Sequence, residues 1–151
     1  MNDFDTLMMR EALAEAELAL EEGELPVGCV IVRGGAVIAR GHNERERTND
    51  PTAHAEVVAM RRAAKALNSW RLNECTLYVT LEPCPMCAGA ISQARVGRLV
   101  YGAPDSAQGC AGSIYRIPED PVFSHFCPSD GGILANECSE LLNRFFAGKR
   151  R

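Results

Sequence analysis

The 151-residue chain lacks any apolar run approaching the roughly 18 residues of a membrane-spanning helix. It also lacks internal repeats and low-complexity tracts, which excludes fibrous and solenoid architectures. No basic-then-apolar leader opens it. Met1-Asn2-Asp3-Phe4-Asp5 is acidic from the start, and the expected location is the cytoplasm, with no membrane partner. A basic surplus is missing as well. Sixteen Lys and Arg stand against 20 Asp and Glu, a net charge of −4, which taken whole argues against a nucleic-acid partner. The seven cysteines (29, 75, 84, 87, 110, 127 and 138) are odd in number and do not make a disulfide framework in a chain of cytosolic character.

What is present is an ordinary soluble composition, 46% apolar and 24% charged, at a length suited to one domain over residues 1–151. The charge is unevenly placed. Residues 1–24 hold eight acids and only Arg10, a net −7, while residues 25–151 hold fifteen basic and twelve acidic side chains, a net +3. Residues 144–151 carry four positive charges and no acid.

Residues 5–22 read as a helix rich in Ala, Leu, Met and Glu, with Asp5 as its cap and Gly23 as its end. Its acids at 11, 15, 17, 21 and 22 are expected on a solvated face. Val27–Val32 and Ala36–Ala39 flank Gly34-Gly35 and predict a hairpin. Residues 44–49 read as a loop. A second helix is predicted from Asp50-Pro51 to Leu67, with Pro51 in its first turn. A buried strand over Cys75–Leu81, a helix near Met86–Arg95, a strand at Leu99–Tyr101 and a closing helix over Ile133–Ala147 follow. Residues 102–132, rich in Gly, Pro, Asp and Ser, predict short elements at most. This order implies an α/β sandwich with one mixed sheet.

Two segments, His54-Ala55-Glu56 and Pro83-Cys84-Pro85-Met86-Cys87, fall where helices begin. Cysteines three apart converge on one side of a first helical turn. With one neutral imidazole from His54 they form a soft tetrahedral donor set suited to Zn²⁺, one position remaining open as in catalytic sites. Helix N-termini favour the thiolates. His54 and Glu56 are about 200° apart around a helix and share a site only off its N-terminus. Glu56 then stands near the metal without ligating it, as suits a proton shuttle. A Cys-Pro-Met-Cys redox pair is one alternative. A structural zinc completed by Cys75, Cys110 or His125 is another.

His-x-Glu followed by Pro-Cys-x-x-Cys is the signature of zinc-dependent deaminases. Over nearly its whole length the chain resembles the bacterial tRNA-specific adenosine deaminases. The matching stretches are Leu25–Gly28, Asn49–Glu56, Thr76–Ala90, Arg95–Ala103, Gly109–Ser113, and the end from Glu137-Cys138 through Leu141-Leu142 to Phe145-Phe146. The resemblance implies a three-layer α/β/α sandwich with a mixed central sheet, of cytidine deaminase-like fold. It implies hydrolytic deamination of adenosine to inosine at the wobble position of a tRNA anticodon stem-loop, usually of an arginine tRNA. His54, Cys84 and Cys87 would hold the zinc. Glu56 would move protons between water, adenine N1 and the leaving ammonia. Asn43 would bind the flipped base and Asp105 the sugar of a neighbouring nucleotide. Backbone at Ala55 and Cys84 would position base and water, and Val27, Leu81 and Pro83 would wall the pocket. One of Phe145 and Phe146 is expected to pack inward and the other to meet RNA or a partner subunit, since the family is usually homodimeric.

Asn43 could instead merely end a strand, and Asp105 could be a turn residue after Pro104. Ala107 stands where the family often has Lys, and Pro85 is shared with guanine deaminases. Phosphate contacts are expected from Arg144, Lys149, Arg150 and Arg151, with Arg45, Arg47 and Arg71 contributing. The acidic helix face is expected away from the zinc pocket and the arginines around it. Two other functions compete: deamination of free guanine, cytosine or a nucleoside, and a non-catalytic RNA-binding subunit. The intact Glu56 argues against the last.

Overall fold

The computed structural model describes residues 2–149; Arg150, Arg151 and the side chain of Lys149, three of the expected phosphate contacts, lie outside that description. Helix α1 spans Asp3–Glu21. It starts earlier than the Asp5 cap predicted, because Asn2 is the cap: its side chain accepts from the Asp5 N–H at 2.9 Å, and the Asp5 carboxylate accepts in return from the Asn2 N–H. Met9, Ala12, Ala16 and Ala19 form its buried stripe. The acids are not all on a solvated face. Glu15 is buried and bonds His42 Nδ1 at 3.0 Å. Small alanines let the next strand approach closely. A Cβ on Gly28 would lie 2.0 Å from the Ala12 carbonyl oxygen.

Strands β1 (Gly28–Arg33) and β2 (Ala36–His42) form the expected hairpin. Gly34 and Gly35, at φ +59° and +77°, supply the left-handed pair that a tight primed turn requires. Residues 44–49 are not a plain loop: α2 (Arg45–Thr48) makes one helical turn there. Helix α3 (Ala55–Leu67) begins after His54, later than the Asp50-Pro51 start predicted. Asp50 instead caps a turn, accepting from the Thr52 N–H and Oγ1. β3 (Cys75–Leu81), α4 (Pro85–Gln93), β4 (Arg98–Ala103), β5 (Ser129–Gly131) and α5 (Ala135–Lys149) complete the chain.

The sheet runs β2-β1-β3-β4-β5, antiparallel at β2/β1 and β1/β3 and parallel from β3 onward. Side-chain alternation divides the core into two layers. Cys29, Ile31, Leu77, Val79, Leu99 and Tyr101 pack with Ala55, Ala59, Ala63 and Ile91 of α3 and α4. Val30, Val32, Tyr78 and Val100 pack on the other face with Met9 and Ala12 of α1 and Cys138 of α5. The result is the three-layer α/β/α sandwich with a mixed sheet. None of the helices among the described residues is long and apolar enough to cross a membrane.

Candidate active site

His54 and Cys84 are the N-caps of α3 and α4. Both have extended backbones, which turn their side chains off the helix ends rather than along a face. Glu56 follows in the first turn of α3 and Cys87 in the first turn of α4, with Pro85 as the first helical residue of α4. Two helix N-termini therefore meet at one point, their positive dipole ends facing it.

His54 Nδ1 lies 3.5 Å from Cys84 Sγ and 3.4 Å from Cys87 Sγ. Two bonds of about 2.3 Å to sulfur and about 2.0 Å to nitrogen, at a tetrahedral angle, put N and S about 3.5 Å apart. His54 Nδ1 thus already stands from each sulfur as ligands on one zinc ion do, and all three donor atoms lie within 4.8 Å of one another. They are the one such group of three among the described residues. Neither Cys75, Cys110 nor His125 joins it. The Cys110 thiol donates to the Gln108 carbonyl and His125 Nε2 pairs with the Val96 carbonyl, so the four-ligand structural site is not formed.

The electrostatics suit metal-ligand chemistry. Hydrogen bonding from Cys87, against the cost of burial and helped by His54, lowers the Cys84 thiol to about 4. The bond to Cys84 and its own burial push the Cys87 thiol far up. The bond to Cys84 raises His54. Burial raises Glu56 to about 7, with the Cys84 charge adding and its backbone N–H and His54 opposing. A carboxyl poised there takes and gives protons at neutral pH.

These groups open into a cleft of about 650 Å³. Of the residues expected to bind substrate, Val27, Asn43, Ala55, Leu81, Asp105 and Phe145 line it. Pro83 and Phe146 do not. Pro83 uses its carbonyl to hold the Cys110 N–H at 2.9 Å, and Phe146 is exposed on α5, edge-on to Phe145 with ring centroids 5.4 Å apart. Asn43 is buried, its Nδ2 donating to Glu24 Oε1 at 3.4 Å. Asp105 also serves the turn, its Oδ1 accepting from the Ala107 and Gln108 N–H groups.

Of the expected phosphate contacts, Arg45 alone among the described residues reaches this cleft, with Nη1 3.4 Å from His54 Nε2. Arg47 is engaged by Glu22 and Glu44. Arg144 lines a separate groove between α1 and α5, and Arg71 lies over the Trp70 ring. The acidic face of α1 lines none of this cleft, as expected; of the N-terminal acids Glu24, just past the helix, reaches it. Sequence reasoning missed Glu24 and Glu82, two buried carboxylates at the cleft. The one available signal was the position of Glu82, directly before Pro83-Cys84.

A mixed-sheet α/β/α sandwich with a His/Cys/Cys donor set and an adjacent buried glutamate defines the zinc-dependent deaminase class. Residues 1–117 match the MafB19-like deaminase family. The chain is 46% identical to the tRNA-specific adenosine deaminase of Bacillus subtilis over 97% of its own length and 91% of that protein. It is 48% identical to a chloroplastic tRNA(adenine(34)) deaminase of Arabidopsis thaliana over 94% of its length, which is 12% of that much longer protein. A solved structure from a study of A-to-I editing by tRNA:A34 deaminases at the wobble position superposes with a TM-score of 0.87 at 46% identity, covering 91% of this chain and 99% of that one. Guanine deaminase from Bacillus subtilis matches with a TM-score of 0.64 at 44% identity, over 69% of this chain and 66% of that one. The chain belongs to the tRNA-specific adenosine deaminase family.

Proposed function

We propose that the chain hydrolyses adenosine to inosine at the wobble position of a tRNA anticodon, with an arginine tRNA as substrate. The observation that carries this is the 46% identity with a tRNA-specific adenosine deaminase over 97% of the chain. His54, Cys84 and Cys87 would hold zinc, which when bound lowers the pKa of a water to near neutrality. Glu56 would take the proton from that water and pass it to adenine N1 as oxygen adds to C6. It would then take the proton of the new C6 hydroxyl and deliver it to the departing amine, so that one water is consumed and one ammonia released. Asn43 would bind the flipped base, Val27 and Leu81 would wall it, the Ala55 and Cys84 backbone would orient base and water, and Asp105 would meet the neighbouring sugar. Phe145 would stack inside the cleft, with Phe146 meeting RNA or a second subunit outside it.

The whole chain would work as one deaminase domain, in the cytoplasm and as a homodimer. Support for the dimer comes from the exposed apolar residues Ile114, Tyr115, Val122, Phe123 and Phe126 on one stretch of chain. The similarity to guanine deaminase favours a second reading, turnover of a free base. Ammonia release from an anticodon stem-loop with A at the wobble position, from free adenosine and from guanine separates the two. Preference for the stem-loop is expected; equal or faster turnover of a free base or nucleoside would overturn the tRNA assignment.

A further inference from the structure

Glu82 is 2% exposed, so its charge must be met inside the protein. A single loop meets it. Oε1 accepts from the Asp105 N–H at 2.9 Å and from Ser113 Oγ. Oε2 accepts from the N–H groups of Ala111 at 3.0 Å and Ser113 at 2.9 Å. The backbone ties the same two segments together, with the Glu82 N–H on the Ala103 carbonyl and the Cys110 N–H on the Pro83 carbonyl, both at 2.9 Å. The approach is so close that a Cβ on Gly109 would lie 2.3 Å from the Glu82 carboxyl carbon. One end of this clamp is fixed two residues before Cys84. The other end holds the loop that presents Asp105 and Gln108 to the cleft.

We propose that Glu82 is a positioning residue: by gathering the 105–113 loop around its carboxylate, it sets where Asp105 and Gln108 meet the nucleotide beside the one deaminated. The proposal rests on the RNA-substrate reading above. Glutamine at this position would present an NH₂ to N–H or O–H donors on one edge, and that edge must open. The loop then shifts at the distance of the neighbouring nucleotide, while Glu56 and the three metal donors stay on α3 and α4.

The test compares Glu82→Gln with the unmodified zinc-loaded chain in two assays. One is ammonia release from an anticodon stem-loop, and the other is amide hydrogen exchange across residues 105–113. We expect KM for the stem-loop to rise about tenfold, the equivalent of one lost charge-assisted hydrogen bond. We expect kcat to fall by less than KM rises, zinc content to hold, and the Asp105, Ala111 and Ser113 amides to exchange faster. Ser113→Ala removes a single donor without adding one and should give the same signature more weakly; it serves if the glutamine variant does not fold. An unchanged KM, unchanged loop exchange, or a loss of zinc or of kcat alone would overturn the proposal. Failure of the unmodified chain to act on the stem-loop would overturn the functional reading instead. That result is visible before any variant is made.

Discussion

Asp5 offers the clearest quantitative test of what holds the layers together. Its side chain is 1% exposed and receives Arg98 Nη1 and Nη2 as a fork, each at 2.9 Å, with the Tyr78 hydroxyl donating at 2.6 Å. The cluster joins the start of α1 to β3 and β4, and Arg98 also reaches Asp130 of β5 at 3.3 Å. The Arg98 bonds, opposed by burial and aided by Tyr78, lower the Asp5 carboxyl from 3.8 to about 2. At about 1.4 kcal/mol per unit that is roughly 2 kcal/mol of stability. The Arg98 side chain is 31% exposed, so solvent screening brings the expected value to about 1–2 kcal/mol. Because the folded value is the lower one, the contribution is full above the unfolded carboxyl value near 3.9, about half gone at pH 3, and lost as pH falls through about 2. Asp5→Asn keeps an acceptor for Tyr78 but turns an amide NH₂ toward the guanidinium. Urea unfolding of both chains, metal-free, at pH 7 and pH 3 should show the variant weaker by about 1–2 kcal/mol at pH 7 and by about half that at pH 3. An equal deficit at both pH values would show that the carboxylate charge is not the cause, and no deficit at pH 7 would refute the clamp.

The site gives further expectations. Glu56→Gln should retain zinc and lose about 10²–10⁴ in ammonia release, and near-full activity would remove Glu56 from the mechanism. His54→Ala and Cys87→Ala should lose zinc on dialysis, as read by metal analysis, because each leaves two ligands; full occupancy in either would overturn the donor set. Loading zinc into the metal-free chain at pH 7 should release protons, chiefly from Cys87, whose proton the metal displaces. Calorimetry in buffers of different ionisation enthalpy would measure it, and a release near zero would contradict the thiol–thiolate pair. Gly28→Ala should cost at least about 1–3 kcal/mol in urea unfolding, since its Cβ would overlap the Ala12 carbonyl, and native stability would mean α1 can move aside.

What was legible followed local rules. Gly34-Gly35 between β-branched runs marked a hairpin, and its turn has the required positive φ angles. Cysteines three apart after a proline marked a helix start, and Pro85 is its first residue. What was not legible depended on tertiary partners. Ser129-Asp130-Gly131 has no apolar alternation, yet pairs with β4 because Arg98 takes Asp130 and Gly131 leaves room for the Tyr101 ring, 2.3 Å from where a Cβ would stand. Asp50-Pro51 carries good helix-start chemistry, but Asp50 spends its carboxylate on Thr52, and the helix waits for His54. That delay is what lets His54 and Glu56 share a site. As the cap, His54 points off the helix end, and Glu56 follows one residue after the first helical position.

The charge pattern needs the same tertiary correction. A cleft lined by Glu24, Glu46, Glu56, Glu82 and Asp105, with Arg45 its one arginine among the described residues, looks wrongly signed for RNA when residues are simply counted. Two of these carboxylates are closed into rings of N–H donors. Glu24 accepts from the Glu46 and Arg47 N–H groups and from Asn43, and Glu82 accepts from three backbone N–H groups and a hydroxyl. Backbone dipoles aimed at a buried carboxylate oppose its field outside the protein, while the bonds fix the two loops that carry it. The acids of residues 1–24 are likewise largely committed: Asp5 to Arg98, Glu11 to Arg40, Glu15 to His42, and Glu22 to His42 and Arg47. A net charge of −4 therefore says little about the field a phosphate meets. Acids that organise the backbone are held inside the fold, and an incoming anion meets two helix N-termini and the Arg45 guanidinium beside His54, opposed at the cleft wall by Glu46 and Asp105.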